Sequence, residues 1–113
     1  MTGRLSVAQL DALVDEITID AYDDEEQLTG FLVGAQEALL RGESAHLVGV
    51  EVEVLAVDAG PDVRSALTAR VRRKGTRYEV AYADVTFAAG SQSGLVASAY
   101  RRWQGRAPYA GSA

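Results

Sequence analysis

The sequence contains no cysteine and a single histidine, and these shortages exclude several classes of protein. Without cysteine there is no disulfide framework, no thiolate zinc site and no cysteine nucleophile, and the composition suits a reducing compartment. Because His46 is the only histidine, one chain cannot build a two-histidine metal site or a histidine relay. No apolar run approaches the roughly 20 residues of a membrane span, and no signal peptide opens the sequence. We therefore expect a cytoplasmic protein with no membrane partner.

The motifs of common enzymes are also missing. There is no P-loop, no Gly-rich phosphate loop and no Ser/His/acid set, and the glycines are scattered. A chain of 113 residues is one domain and leaves little room for a catalytic cleft. We expect a non-enzymatic protein with a single α+β domain over residues 1–103 and a flexible C-terminal tail over residues 104–113.

Charge is distributed unevenly along the chain. Residues 1–62 contain 14 acidic residues and two arginines, a balance of −12, whereas residues 63–113 contain nine basic and two acidic residues, a balance of +7. The overall charge is −5 and the isoelectric point is about 4.7. This asymmetry predicts an acidic face and a basic face on one small body.

Two helices are predicted in the acidic half. Ser6 and Gln9 have the spacing of a capping box, and an apolar stripe follows, so we expect a helix over Val7–Thr18. A second helix is expected from Asp23 or Asp24, with Gly42 at its C-cap.

Gly30 and Gly34 interrupt the stripe of the second helix. Each glycine costs about 1 kcal/mol relative to alanine in a helix. Their four-residue spacing would let another backbone approach the helix closely.

The basic half has the period of strands. Residues 47–57 alternate valine with glycine and glutamate and are predicted to form one half-buried strand. Further alternation predicts strands over 67–72 and 78–82, joined by a hairpin loop at 73–76, with a short strand at 84–87. An apolar stripe from Leu95 to Trp103 predicts a closing helix. The expected fold is α+β, with two N-terminal helices, an antiparallel SH3-like small barrel or meander, and a C-terminal helix.

The most unusual segment is the run from Asp20 to Glu26, in which five of seven residues are acidic. Like charges this dense repel one another, and a calcium ion, which binds six to eight oxygens in tolerant geometry, would offset the repulsion. The pattern of an EF-hand loop is absent. The alternative is that these carboxylates cap the second helix or form a solvated acidic face, because acids in a first turn favour the helix dipole. The sequence alone leaves both hypotheses open.

The same run carries a resemblance to a known family. The stretch Ile17–Gln27, followed by Phe31, Glu37 and Leu39, resembles the start of the CcbP-type calcium-binding proteins of cyanobacteria and actinobacteria. The stretch Ala99–Trp103 is similar to the closing helix of actinobacterial members. The resemblance covers most of residues 6–103.

Membership would imply a small cytosolic protein that binds calcium through surface carboxylates rather than EF-hands, in calcium buffering or signalling. The candidate metal ligands are the carboxylates of the acidic run and its neighbours: Asp15, Glu16, Asp20, Asp23, Asp24, Glu25, Glu26 and Glu37. Two features depart from the family, since this chain lacks a Pro-Phe after the second helix and its strands are more basic.

A second hypothesis comes from the basic half. Arg70, Arg72, Arg73, Lys74 and Arg77 cluster on and beside the predicted hairpin. They would suit a non-enzymatic interaction module that binds an anionic partner: a nucleic acid, another protein, or the acidic half of a second copy. The net negative charge disfavours nucleic acid. The alternative is a solvated sheet face that neutralises acidic groups within or between molecules. His46 is expected in a loop, as a surface histidine or as a metal ligand or pH sensor.

Overall fold

A computed structural model describes residues 6–60 and 67–105. Within them the chain forms three α-helices, five strands and one turn of 3-10 helix at Tyr82–Asp84. The elements are α1 (Val7–Ile17), α2 (Asp24–Ala38), β1 (Glu43–Leu47), β2 (Val50–Ala59), β3 (Leu67–Arg73), β4 (Thr76–Ala81), β5 (Val85–Phe87) and α3 (Gln92–Trp103). The predicted α+β class is confirmed. Most of the predicted tail and the segment 61–66 lie outside the described residues.

The five strands form one antiparallel sheet in the order β4-β3-β2-β1-β5. The first four strands follow one another as a meander, and β5 crosses back to pair with β1. Among the described residues β4 and β5 are the two edges and do not pair, so the sheet is open. The SH3-like barrel is therefore not confirmed, since a barrel needs its first and last strands to be joined.

The strand predicted over residues 47–57 is divided by a turn. Val48 and Gly49 have φ angles of 51° and 79°, and they link β1 to β2 as a two-residue hairpin. The alternation of valines continues through this turn without a break, so the sequence does not indicate the turn. In the structure Val48 is 92% exposed. The prediction of a loop at His46 is also wrong. This residue lies in β1 opposite Glu51.

Local signals elsewhere predicted the structure correctly. The capping box at the start of α1 is complete, with Ser6 Oγ accepting from Gln9 N at 3.1 Å and Gln9 Oε1 accepting from Ser6 N at 2.8 Å. The hairpin between β3 and β4 turns at Lys74 and Gly75. The second helix differs, because it ends at Ala38, and Gly42 instead takes its positive φ in the turn that leads into β1.

The core lies between the inner face of the sheet and helices α2 and α3. Phe31 of α2 is fully buried, with ring centroids 5.6 Å from Tyr100 and 5.2 Å from Trp103 of α3. Tyr82 and Phe87 extend this aromatic cluster towards the sheet. The apolar stripe of the closing helix predicts packing roles for Tyr100 and Trp103, and Tyr100 is completely buried.

Buried polar groups tie α3 to the segments beneath it. The Tyr100 hydroxyl accepts a hydrogen bond from Leu67 N at 3.0 Å. Arg101, only 7% exposed, donates from Nε to the Ala83 carbonyl at 2.6 Å and from a terminal nitrogen to the Val85 carbonyl at 2.7 Å. These bonds satisfy main-chain groups that burial would otherwise leave unpaired. None of the three helices in the described parts of the chain has the length and apolarity required to span a membrane.

An ion pair connects α1 to α3. Asp11 Oδ1 lies 2.9 Å from Arg102 Nε, and both side chains are about half exposed. The hydrogen bond from Arg102, with the charge of that guanidinium, holds the pKa of Asp11 below its usual value, and Asp11 in turn raises the pKa of Arg102.

A lowered folded-state pKa at Asp11 predicts how this contact depends on pH. Its contribution is complete above the unfolded-state pKa of about 3.9 and is lost as pH falls through the lower folded-state value. Asp11→Asn should therefore lower Tm at pH 7 in low salt, and the difference from wild type should shrink below about pH 4. Asp15→Asn, which removes the same charge from an exposed site on α1, is the control. An equal loss of Tm in both variants, or a difference unchanged at pH 3, would contradict the prediction.

Candidate functional site

A short connection joins α1 to α2 and carries the acidic run. Thr18 caps α1, donating to the Val14 carbonyl from its main-chain nitrogen at 3.0 Å and from Oγ1 at 2.8 Å. Ala21 N then donates to the Thr18 carbonyl at 3.0 Å. The chain therefore turns back within six residues, and α2 begins beside the end of α1.

A glycine allows the two helices to come into contact. A Cβ atom built on Gly30 would lie 2.8 Å from the carbonyl oxygen of Ile17, the last residue of α1. At Gly34 a Cβ would meet only the Cγ1 atom of Val96 at 3.8 Å, an ordinary contact. The expected close approach of another backbone is thus found at Gly30 alone.

An acidic groove opens along this contact. Its volume is about 560 Å³, and it is lined by residues of α1, the connection and one face of α2. Four of the predicted metal ligands line it: Glu16 from the last turn of α1, Asp20 from the connection, and Glu26 and Glu37 from α2. Thr29 adds a hydroxyl group to the lining. Hard oxygen donors of this kind suit calcium. We call this feature the acidic groove.

The other predicted ligands have different surroundings. Asp15 is exposed on α1 and does not line the groove. Asp23 is the N-cap of α2, and its Oδ1 accepts from Glu26 N at 2.8 Å. Asp24 is the first residue of α2, and the main-chain carbonyl of Glu25 accepts from Thr29 Oγ1 at 3.0 Å. The capping hypothesis is therefore confirmed for Asp23.

Glu26 belongs to both arrangements. Its Oε1 accepts a hydrogen bond of 3.3 Å from Tyr22 N, one residue before the cap, and its side chain also lines the acidic groove. Within residues 6–60 and 67–105, however, no three acidic or histidine side chains are grouped so that they could hold a metal ion. The groove collects carboxylates without converging them on one point.

A second groove of about 660 Å³ adjoins the first and shares Glu16 and Glu37 with it. Its third carboxylate is Glu43, which sequence analysis missed. Glu43 Oε1 accepts from Leu40 N at 2.9 Å and from Ser93 Oγ at 2.7 Å. The sequence gives no local signal for this contact, because Glu43 and Ser93 are 50 residues apart. Their hydrogen bond connects the start of β1 to the start of α3.

The basic residues of the alternative hypothesis lie at the β3–β4 hairpin. Arg70 and Arg72 project from the outer face of β3, and Arg73 and Lys74 lead into the turn before Arg77. Arg72 Nε is paired with Glu53 Oε1 of β2 at 2.9 Å. Arg70 lies opposite Glu79 in the strand register. The positive charge is thus balanced partly within the sheet itself.

Comparison with known proteins bears on the fold. A scan against models of protein families finds no match, and a search of curated proteins finds no significant similarity. Among solved structures, the chain is similar to the crystal structure of Anabaena CcbP, with a TM-score of 0.73 and 17% identity over 94% of this chain and 97% of that chain. This chain has a CcbP-like fold.

A second solved structure agrees with the first. It is a "calcium binding protein in the calcium-binding form", with a TM-score of 0.67 and 17% identity over 91% of this chain and 98% of that chain. The CcbP-like fold confirms the resemblance seen in the sequence, and at this level of identity the likeness is one of fold.

The cap of α2 gives a second prediction. Asp23→Ala removes the acceptor for Glu26 N and should lower the free energy of unfolding by about 1 kcal/mol. Asp23→Ser keeps an acceptor and removes the charge, so it should lower the free energy of unfolding by a few tenths of that amount at most. Urea unfolding in the presence of a chelator measures both. Equal stability of the alanine variant and the wild type would show that this bond contributes nothing.

The contact at Gly30 gives a third prediction, with Gly34 as a matched control on the same helix. Gly30→Ala should lower the free energy of unfolding by about 1 kcal/mol, because overpacking against a backbone oxygen outweighs the better helix propensity of alanine. Gly34→Ala should raise it by up to about 1 kcal/mol, since the space is there. The prediction is wrong if Gly30→Ala is as stable as Gly34→Ala in urea.

Proposed function

We propose that this protein binds calcium in the acidic groove as a non-enzymatic, non-EF-hand protein of the cytoplasm. The observation that carries the proposal is the groove itself, which is lined by Glu16, Asp20, Glu26 and Glu37 from three segments of the chain. The CcbP-like fold supports it, because the two similar structures are CcbP and a calcium binding protein.

The chemistry of the groove favours calcium over other divalent cations. All its side-chain donors are oxygen atoms, and no cysteine exists to select a softer metal. Magnesium demands near-ideal octahedral geometry, whereas calcium tolerates irregular ligands and several waters. Carboxylates that do not converge in the free protein suit the more tolerant ion.

Affinity should be low. Exposed Glu16, Asp20 and Glu37 side chains must give up rotamer freedom to approach one ion, and each ordered long side chain costs up to about 2 kcal/mol. We place the dissociation constant on the order of 10⁻⁴ to 10⁻³ M, the range of weak modules rather than tight buffers. Three of the remaining predicted ligands, Asp15, Asp23 and Glu25, would act by adding negative potential around the groove. The side chain of Asp24 lies outside the part of the chain that the structure describes.

The test is a calcium titration at constant ionic strength, followed by calorimetry and by backbone NMR. At calcium about ten times the dissociation constant, linkage stabilises the fold by about 1.4 kcal/mol, which corresponds to a rise in Tm of roughly 5 °C. The NMR shifts should change in residues 16–37 and not in β4. Magnesium at the same concentration should give a smaller response.

Matched amide variants locate the site. Asp20→Asn with Glu37→Gln should weaken calcium binding at least tenfold, since each lost carboxylate removes a charge and a ligand. Asp58→Asn with Glu51→Gln, which removes the same charge outside the groove, should change it little. No heat and no shift of Tm at 10 mM calcium, or equal loss in both double variants, would overturn the proposal.

A further inference from the structure

Strand β4 leaves one edge of the sheet open. Among the described residues it pairs with β3 alone. The two-residue turn is closed by Arg73 and Thr76, which form a hydrogen-bonded pair, and hydrogen-bonded and non-hydrogen-bonded pairs then alternate along an antiparallel ladder. The main-chain groups of Arg77 and Glu79 therefore point away from β3, and those of Tyr78 point towards it.

The charges along this edge are unevenly satisfied. In the register of the sheet, Glu79 faces Arg70, whereas Arg77 faces Arg72, a like charge that is already paired with Glu53. No ion pair within the described residues involves Arg77 or Glu79. Like charges directly opposite each other destabilise a strand pair, so Arg77 would gain from an acidic neighbour on its open side.

The sequence of β4 is complementary to itself. If a second β4 runs antiparallel with Tyr78 opposite its own copy, Arg77 of each strand faces Glu79 of the other. In this register the facing Arg77 and Glu79 form the hydrogen-bonded pairs, because their main-chain groups are the ones that point outwards. The backbone pattern and the charge pattern thus require the same alignment.

Tyr78 lies at the centre of that alignment. It is 52% exposed, although it faces the buried Val71 on the apolar side of the sheet. The central pair is non-hydrogen-bonded, which brings the Cα atoms to about 4.5 Å and the side chains into contact. Two copies of Tyr78 would cover each other, and cross-strand aromatic pairs stabilise sheets.

We propose that β4 is a self-association surface through which two copies of this chain form a symmetric dimer with a continuous ten-stranded sheet. The outer face would then carry a row in the order Glu53, Arg72, Arg77, Glu79 and Arg70, the last two from the second copy. The proposal does not depend on calcium, since β4 contributes no residue to either groove of the helical region.

The competing explanation is edge protection. Charged side chains on an edge strand often prevent pairing rather than direct it. The two explanations differ in what charge reversal does. A protective charge can be removed only at the risk of aggregation, whereas a self-complementary pair is broken by one reversal and restored by a second.

The experiment is sedimentation equilibrium with wild type and two variants, Arg77→Glu and Glu79→Arg. Over about 10 μM to about 1 mM, a range suited to so small an interface, the wild type should move from 12.0 kDa towards twice that mass. Each variant alone places like charges opposite each other and should weaken association at least tenfold. An equimolar mixture of the two should associate again, because the all-acidic edge of the Arg77→Glu variant then faces the all-basic edge of the Glu79→Arg variant.

Lys74→Glu is the control. It makes the same charge change as Arg77→Glu, but in the turn and outside the strand pair, and should leave association unchanged. Circular dichroism at low concentration shows whether each variant is folded. Hydrogen exchange tests the register, because the amides of Arg77 and Glu79 should gain protection as concentration rises.

Four results would overturn the proposal. They are a wild type that stays monomeric at 1 mM, a mixture that does not associate, an equal effect of Lys74→Glu, and a dimer in which these two amides are not protected.

Discussion

The position of α2 is the constraint on which both the core and the acidic groove depend. Phe31 is fully buried against Tyr100 and Trp103, so apolar packing fixes the inward face of this helix. Gly30, one residue earlier and therefore about 100° around the helix, lies against the Ile17 carbonyl. A single turn of α2 thus contacts both α3 and the end of α1. The groove between α1 and α2 is a consequence of this packing. The two helices can approach this closely because Gly30 has no side chain.

The distribution of charge acquires a structural meaning from the same arrangement. Two basic residues of the second half are paired with nearby acids: Arg72 with Glu53 within the sheet, and Arg102 with Asp11 between helices. The acidic groove has no basic residue in its lining. Its carboxylates therefore retain a negative potential, which attracts cations whether or not the side chains are already arranged to hold one. Among the described residues, the groove thus brings negative charge from three segments to one surface, but no three carboxylates are grouped around a single point.

The sequence predicted those features whose signals are local. The capping box at Ser6 and the hairpin at Lys74 each depend on a few adjacent residues, and both were placed correctly. The turn at Val48 was missed because the valine alternation of a single strand continues through it. The order of strands and the open edge could not be predicted, since they depend on how β5 returns to β1.

The acidic groove shows the same limit. The run Asp20–Glu26 could be identified as unusual from its density of acidic residues alone. Glu16 and Glu37 could be named as candidates, but that they line one groove depends on how α1 and α2 pack, because they are 21 residues apart on two helices. Nor could the sequence show that two adjacent arginines of α3 have different roles. Arg101 is buried among main-chain carbonyls, while Arg102 reaches an exposed carboxylate on α1. Which face of α3 each occupies decides its role, and that depends on the packed structure.

Capping and the proposed metal binding are coupled at Glu26 rather than exclusive. Its bond to Tyr22 N, at 3.3 Å, is longer than the usual range for an amide donor, and Tyr22 itself is 90% exposed, so water can replace the lost acceptor. Releasing this bond to bind a cation would therefore cost little. The Asp23 cap, at 2.8 Å, would remain and hold the start of α2 in place. The proposed metal binding would therefore require a change at Glu26 and none at the Asp23 cap, because only the longer of the two hydrogen bonds involves a side chain that lines the groove.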